Sequence, residues 1–162
     1  MIKLKSLLNE NVINTPEFKR WFGNSRVVDK HGNPMMVFHG TSSDNNFTAF
    51  RKKQSGIWFA KNSENAHPGN ASSENRIIPA YLSLQNPYKL NNDELKTWRA
   101  STNPLKIIAN MRSQLINKGY DGVDIGDYAY VAFYPEQIKS AIGNCGKFDP
   151  NDPDITKEYT VK

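Results

Sequence analysis

Apolar residues recur at Leu105, Ile108, Met111, Leu115 and Ile116, with Arg112 on the same arc. This spacing follows the helical repeat of ~3.6 residues and predicts a helix over 105–118 with one face against a sheet. Asn103-Pro104 supply its start and Gly119 its stop. A helix is likewise expected over 17–22, with Thr15 as N-cap, Pro16 at the first helical position, Gly23 behind it and Phe18, Trp21 and Phe22 as an aromatic anchor. Asn92-Asp93-Glu94 opens a third helix that runs through Trp98, and a short one is expected from Ser63 until Pro68 cuts it off. Elsewhere the pattern alternates. In "YAYVAFYP", Tyr128, Tyr130, Ala132 and Tyr134 fall on one side and Ala129, Val131 and Phe133 on the other, which predicts a strand over 128–134. "SGIWFA" and "YDGVDI" read as strands, and "RVVD-KHGN-PMMVFHG" as two strands joined by a turn at 30–33. "RIIPAYLSLQNPYKL" reads as one long strand, whose Pro79 places it near an edge or a bulge, and 137–142 as a further strand.

Strands outnumber helices, and turns or irregular loops separate them rather than regular crossover helices. This argues for an α+β domain built on a split, mostly antiparallel β-sheet core with flanking short helices. Residues 1–14 stand apart as a tail or short helix, with Ile2, Leu4, Leu7 and Leu8 on one stripe. Residues 15–162 then form a single domain, as the length of 162 residues suggests, with an extended Asp- and Pro-rich arm from about 148.

Composition narrows the setting more than the function. Hydrophobic residues make up 38% and charged residues 23%, the balance of a globular, soluble chain. No apolar run approaches the ~18 residues a membrane span needs, and the opening "MIKLKSLLNE" is too short and broken in its apolar part for a secretory signal. The single cysteine, Cys145, excludes an internal disulfide and fits a reducing, cytoplasmic compartment. One Cys and three His without a CxxC pair provide no zinc-site spacing, so no structural metal is expected. A net charge of +5 admits a nucleic acid, a dinucleotide or an acidic protein as partner without choosing among them. The one tight basic cluster, Arg51-Lys52-Lys53, is equally well explained as a solvated loop.

The candidate chemistry begins at "VFHGTSS". A strand ends on His39 and runs into Gly40, which allows close backbone approach, and Thr41 and Ser42, which offer hydroxyls suited to an amide or a ribose. Alone, a strand-end histidine is more often structural. Its company is what matters: "SGIWFAKNSENA" follows, then "YLSLQNPY", "YDGV" and "YVAFYPEQIKSAIGN" with "FDPNDPDI". In this order the segments resemble the ADP-ribosyltransferase superfamily, in its poly-ADP-ribose-polymerase-like branch with His, Tyr and Glu on separate strands. They resemble in particular the small transferases of phages and mobile elements, from about residue 16 to 155.

The resemblance implies an NAD+-dependent mono-ADP-ribosyltransferase acting on a macromolecule. His39 matches the histidine that hydrogen-bonds the adenosine ribose, and Gly40 the glycine whose backbone meets the nicotinamide carboxamide, with Thr41 or Ser42 beside it. Trp58 stands where a tyrosine is usual, before Phe59; its indole retains a stacking face and lacks the phenol hydroxyl. The second stacking aromatic is not evident, because His67 and Pro68 occupy its place. Arg51 is placed to meet the pyrophosphate. The glutamate position falls on Ala129.

That departure bears on the reaction. Cleavage of the nicotinamide–ribose bond builds positive charge on the sugar, which a neighbouring carboxylate stabilises. Three accounts of Ala129 fit: an inactivated variant of a Glu-bearing enzyme, which we favour; a natural binding module of the same fold without chemistry; or a substitute carboxylate, with Asp127 ahead of Asp124 and Glu136 because it shares the strand parity of Ala129. A small basic ribonuclease-like toxin is a weaker alternative, since His31 and His67 make no convincing acid–base pair. A protein acceptor is favoured, with RNA or DNA next, because no aromatic stacking array of the single-strand-binding kind is visible. Leu8-Asn9-Glu10 is first read as part of a frayed amphipathic start; it also resembles the Leu-x-Glu cleavage site of tailed-phage prohead proteases, and on that resemblance the chain is a phage effector or toxin packaged in the virion and acting in the host cytoplasm.

Overall fold

Thr15 Oγ1 accepts the backbone N–H of Phe18 at 3.2 Å and so satisfies one of the open donors at the start of helix α1 (Pro16–Phe22). Gly23, at φ 53°, ends it. Buried Phe18, Trp21 and Phe22 pack on Tyr81 and Ala141, and Trp21 Nε1 donates to Glu136 O at 3.1 Å. The computed structural model describes residues 12–41, 50, 54–66 and 76–141, so the tail at 1–11 and the arm from 148 lie outside the described residues.

The strands are β1 (Val37–Thr41), β2 (Ile57–Ala60), β3 (Arg76–Leu82), β4 (Pro87–Lys89), β5 (Gly122–Ile125), β6 (Ala129–Ala132) and β7 (Ile138–Ser140). They form one seven-stranded sheet in the order β4-β5-β6-β2-β1-β3-β7, in which only β4 and β5 run parallel. The α+β class and the mostly antiparallel sheet therefore stand as expected. The seam between β1 and β2 is narrow: a single register pair, Phe38 with Ala60, joins them, whereas β1 and β3 share five. This is where the sheet parts. Helices α2 (Asn92–Ala100) and α3 (Pro104–Asn117) have Asn91 and Asn103 as N-caps, with a reciprocal capping box between Asn91 and Glu94.

The two faces of the sheet bury different clusters. One joins Val37, Phe50, Ile57, Phe59, Ala80, Leu82, Tyr130, Ala132 and Ile138. The other joins Val123, Ile125, Ala129, Val131 and Phe133 with Ile108 and Leu115 of α3, and Trp58, Leu95 and Trp98 pack against it. Gly56, at φ 75°, lies under β6 where a Cβ would collide with Val131 Cγ1, so only glycine lets β2 start this close to β6.

Four expectations change. "RIIPAYLSLQNPYKL" is two strands on opposite sides of the sheet: β3 lies beside β1 and β7, whereas β4 lies at the far edge on β5. The break comes where the Asp121 carboxylate takes the backbone N–H groups of Gln85 at 2.7 Å and Asn86 at 3.0 Å, which removes them from any ladder. Pro79 sits beyond the last β3–β7 register pair, one strand in from the β7 edge. The expected strand ahead of the 30–33 turn shrinks to one bridge, Val28 with Pro34, because Asp29 Oδ1 binds the N–H groups of His31 and Asn33 and tightens the turn. The expected strand at 128–134 shortens to β6, because residues 126–128 form the turn from β5, closed by Tyr128 N–H on Ile125 O at 3.0 Å. The helix expected from Ser63 is a single 3-10 turn, Ser63–Asn65, and Pro68 lies outside the described residues.

Candidate active site

His39 reaches across the seam. Its Nδ1 lies 2.7 Å from the backbone oxygen of Trp58. A carbonyl only accepts, so Nδ1 donates in this contact. The ring stands edge-on to Phe50 at 4.8 Å and tilts against Phe59 at 5.4 Å, both buried. Phe59 thus backs the histidine from within the core. Gly40 follows His39 in β1, and Thr41 ends the strand opposite Arg76.

Position 129 opens β6. Ala129 pairs with Ala60 of β2 on one side and with Ile125 of β5 on the other. Alternation along the strands puts Ala129, Ala60 and Trp58 on one face, together with Phe38 and Gly40 of β1. His39, Phe59, Tyr130 and Asp124 follow the other parity. The histidine and position 129 therefore follow opposite strand parities, with the Trp58 carbonyl of β2, which His39 contacts, between their strands.

The substitute carboxylates fall elsewhere. Asp127 is exposed in the turn before β6, so strand parity does not apply to it. Asp124 pairs with Tyr130, on the face away from Ala129, and binds Lys61 Nζ at 2.8 Å. Glu136 lies in the 3-10 turn Pro135–Gln137, beyond the end of β6. Ser42, Arg51, His67 and Pro68 lie outside the described residues.

Tertiary packing also builds what sequence reading missed. Trp58 donates Nε1 to Ser55 O at 2.9 Å, and its indole stacks on Trp98 of α2 with centroids 6.2 Å apart and planes 17° from parallel. Trp98 in turn leans on Tyr128 at 5.5 Å, and the Arg99 guanidinium lies 5.0 Å from the Tyr128 ring centre. These rings pack on one another beside the core cluster, a grouping the sequence did not announce. It is drawn from a strand, a helix and a turn some 30–40 residues apart, so no local spacing announces it.

On the opposite face, Lys61 Nζ bonds to Asp124 and sits 4.1 Å over the Tyr130 ring. Burial, and then the Asp124 charge, push the Tyr130 phenol up to about 12. Because the folded value lies above the unfolded value of ~10, its contribution to stability is complete below pH ~10 and lost as pH rises through the folded value. Alkaline urea titrations should show stability falling between pH ~10 and ~12, at up to ~1.4 kcal/mol per pH unit from this group. Tyr130→Phe should flatten that slope. An unchanged slope would locate the alkaline loss elsewhere.

The sequence profile of the family described as ADP-ribosyltransferase in polyvalent proteins matches residues 29–148, the stretch that holds His39, Trp58 and position 129. No curated protein and no solved structure matches the chain. The matched stretch covers well over half the chain and contains the whole seven-stranded sheet, and on that ground the chain belongs to the ADP-ribosyltransferases of polyvalent proteins.

Proposed function

We propose that the chain binds NAD+ along the seam between β1 and β2 and is built for mono-ADP-ribosyl transfer to a macromolecule. The observation that carries this reading is the contact of His39 Nδ1 with the Trp58 carbonyl at 2.7 Å, which ties together the strands on either side of the seam. ADP-ribosyltransferases use NAD+, and the residues present fit its flat nicotinamide end. Ala60 and Ala129 form a low floor of methyl groups, Gly40 adds no side chain, and the Trp58 indole offers a wall for stacking. His39, on the other strand parity, is the residue the family resemblance assigns to a ribose hydroxyl. Bound NAD+ supplies the ADP-ribosyl group, with nicotinamide leaving. This chain supplies binding and orientation, and at position 129 it lacks the carboxylate that would stabilise charge on the ribose.

We read the chain as an inactivated form of a phage-encoded effector acting in the host cytoplasm. A protein is the favoured acceptor and RNA or DNA the next, consistent with the net charge of +5. A second reading, an NAD+- or partner-binding module without chemistry, is favoured by Ala129 itself.

Calorimetry with NAD+ tests the binding step common to both. Saturable binding is expected, and His39→Ala should weaken it by about 3–10-fold, the worth of one hydrogen bond. Absence of binding by the unaltered chain, or an affinity indifferent to His39, would remove the NAD+ reading.

A further inference from the structure

We infer that Trp98 of α2 is a positioning residue for the nicotinamide-binding wall: it holds the Trp58 indole in plane by covering one of its faces. The inference rests on the NAD+ reading of Trp58. The second stacking aromatic that the resemblance leads one to expect after "ENA" is not evident in the sequence, where His67 and Pro68 stand. The ring next to Trp58 comes instead from a helix outside the family motifs. The two indoles lie 17° from parallel at 6.2 Å, an offset stack. Trp58 is also held at its edge, by Nε1 on Ser55 O at 2.9 Å. With one edge bonded and one face covered, the indole has few rotamers left, so little side-chain entropy remains to be lost when a flat ligand settles on its other face.

A second observation shows which part of Trp98 is used. Its Nε1 is buried and has no hydrogen-bond partner among the described residues. Buried tryptophans usually pair that N–H, and leaving it unpaired is unfavourable. A residue kept without its polar contact acts here through its ring. The α2 placement supports this, since Leu95, one turn earlier, packs on the same cluster and seats the helix against Ile125, Ala129 and Val131. On its other side Trp98 meets Tyr128 in a tilted contact at 5.5 Å, and the Arg99 guanidinium lies 5.0 Å from the Tyr128 ring centre.

The test compares NAD+ affinity by calorimetry in the full chain and in Trp58→Ala, Trp98→Ala, Trp98→Leu and Trp98→Phe, with melting temperatures measured in parallel and titrations made well below all of them. Trp58→Ala should weaken NAD+ binding about tenfold or more. Trp98→Ala should cost about 3–10-fold through lost preorganisation, and Trp98→Phe should restore most of it, because a ring without an N–H still covers the indole. Trp98→Leu serves if the alanine variant does not fold, and is expected to behave as the alanine. If Trp58→Ala weakens binding while Trp98→Ala and Trp98→Leu lower only the melting temperature, the positioning role is overturned and the stacking reading survives. If Trp58→Ala leaves affinity unchanged, the stacking reading fails and this inference with it. A Trp98→Phe variant as weak as the alanine overturns the ring-only role.

Discussion

Ala129→Glu raises nicotinamide release from NAD+ on the order of 10²–10³-fold over the chain as it stands, the usual worth of one well-placed electrostatic group. The gain depends on charge, so Ala129→Gln, of the same size, should stay near the starting rate. The position explains why the effect is large and what accompanies it. Ala129 is 8% exposed, between Ala60 and Ile125, so a carboxylate there faces apolar neighbours and little water. A low-dielectric setting strengthens its attraction for a cationic ribose. It also raises the carboxyl pKa, so activity should climb with pH above the ordinary carboxylate range, and the free protein should lose some stability. Labelled NAD+ offered with a cell lysate measures transfer, and free nicotinamide measures cleavage. Equal rates for Glu and Gln would show that charge at 129 is not the missing element. Unchanged background in both, with NAD+ still bound, would favour the binding module.

Phe59→Ala costs about 3–5 kcal/mol of stability, read by urea unfolding, as for other buried phenylalanines. Phe59 is fully buried in β2, edge-on to Phe50 at 5.6 Å and against the His39 ring at 5.4 Å. Removing it opens a cavity in the cluster beneath the seam and takes away one of the two rings that orient the histidine. NAD+ affinity should therefore fall as well at temperatures where the variant stays folded. A loss below ~1 kcal/mol would mean that the site collapses around the gap and that Phe59 supports neither the core nor the histidine.

Much of the fold was legible because local rules decide it. Thr15-Pro16 and Asn103-Pro104 mark helix starts by side chains that satisfy backbone N–H groups close by in sequence, and both appear as caps; the helix expected to open at Asn92 does so, with Asn91 just before it as the cap. Alternation in "GIWFA" and "YAYVAFYP" likewise marked β2 and β6. The strand bounds shifted where other groups, near or distant in sequence, take up the backbone. Asp121 draws off the N–H groups of Gln85 and Asn86 from 35–36 residues away and cuts one expected strand into β3 and β4. Residues 126–128 turn because β5 and β6 pair with each other, and that turn takes Asp127 out of the strand that would have set it beside Ala129.

By itself the sequence determined the α+β class, the helix ends and the residue types at 39, 58 and 129, since these follow from periodicity, capping chemistry and motif order within short windows. Only the tertiary structure decided which of those residues share a face. Register between strands is a long-range property: a shift of one residue exchanges the two sides of a strand, and nothing within a strand says which partner it meets. The pairing of Phe38 with Ala60, and of Ala60 with Ala129, puts Trp58 and position 129 on one side of the sheet and the His39 parity on the other. The meeting of Trp98 with Trp58 belongs to the same class of fact, because it depends on how α2 lies against the sheet and not on any spacing along the chain.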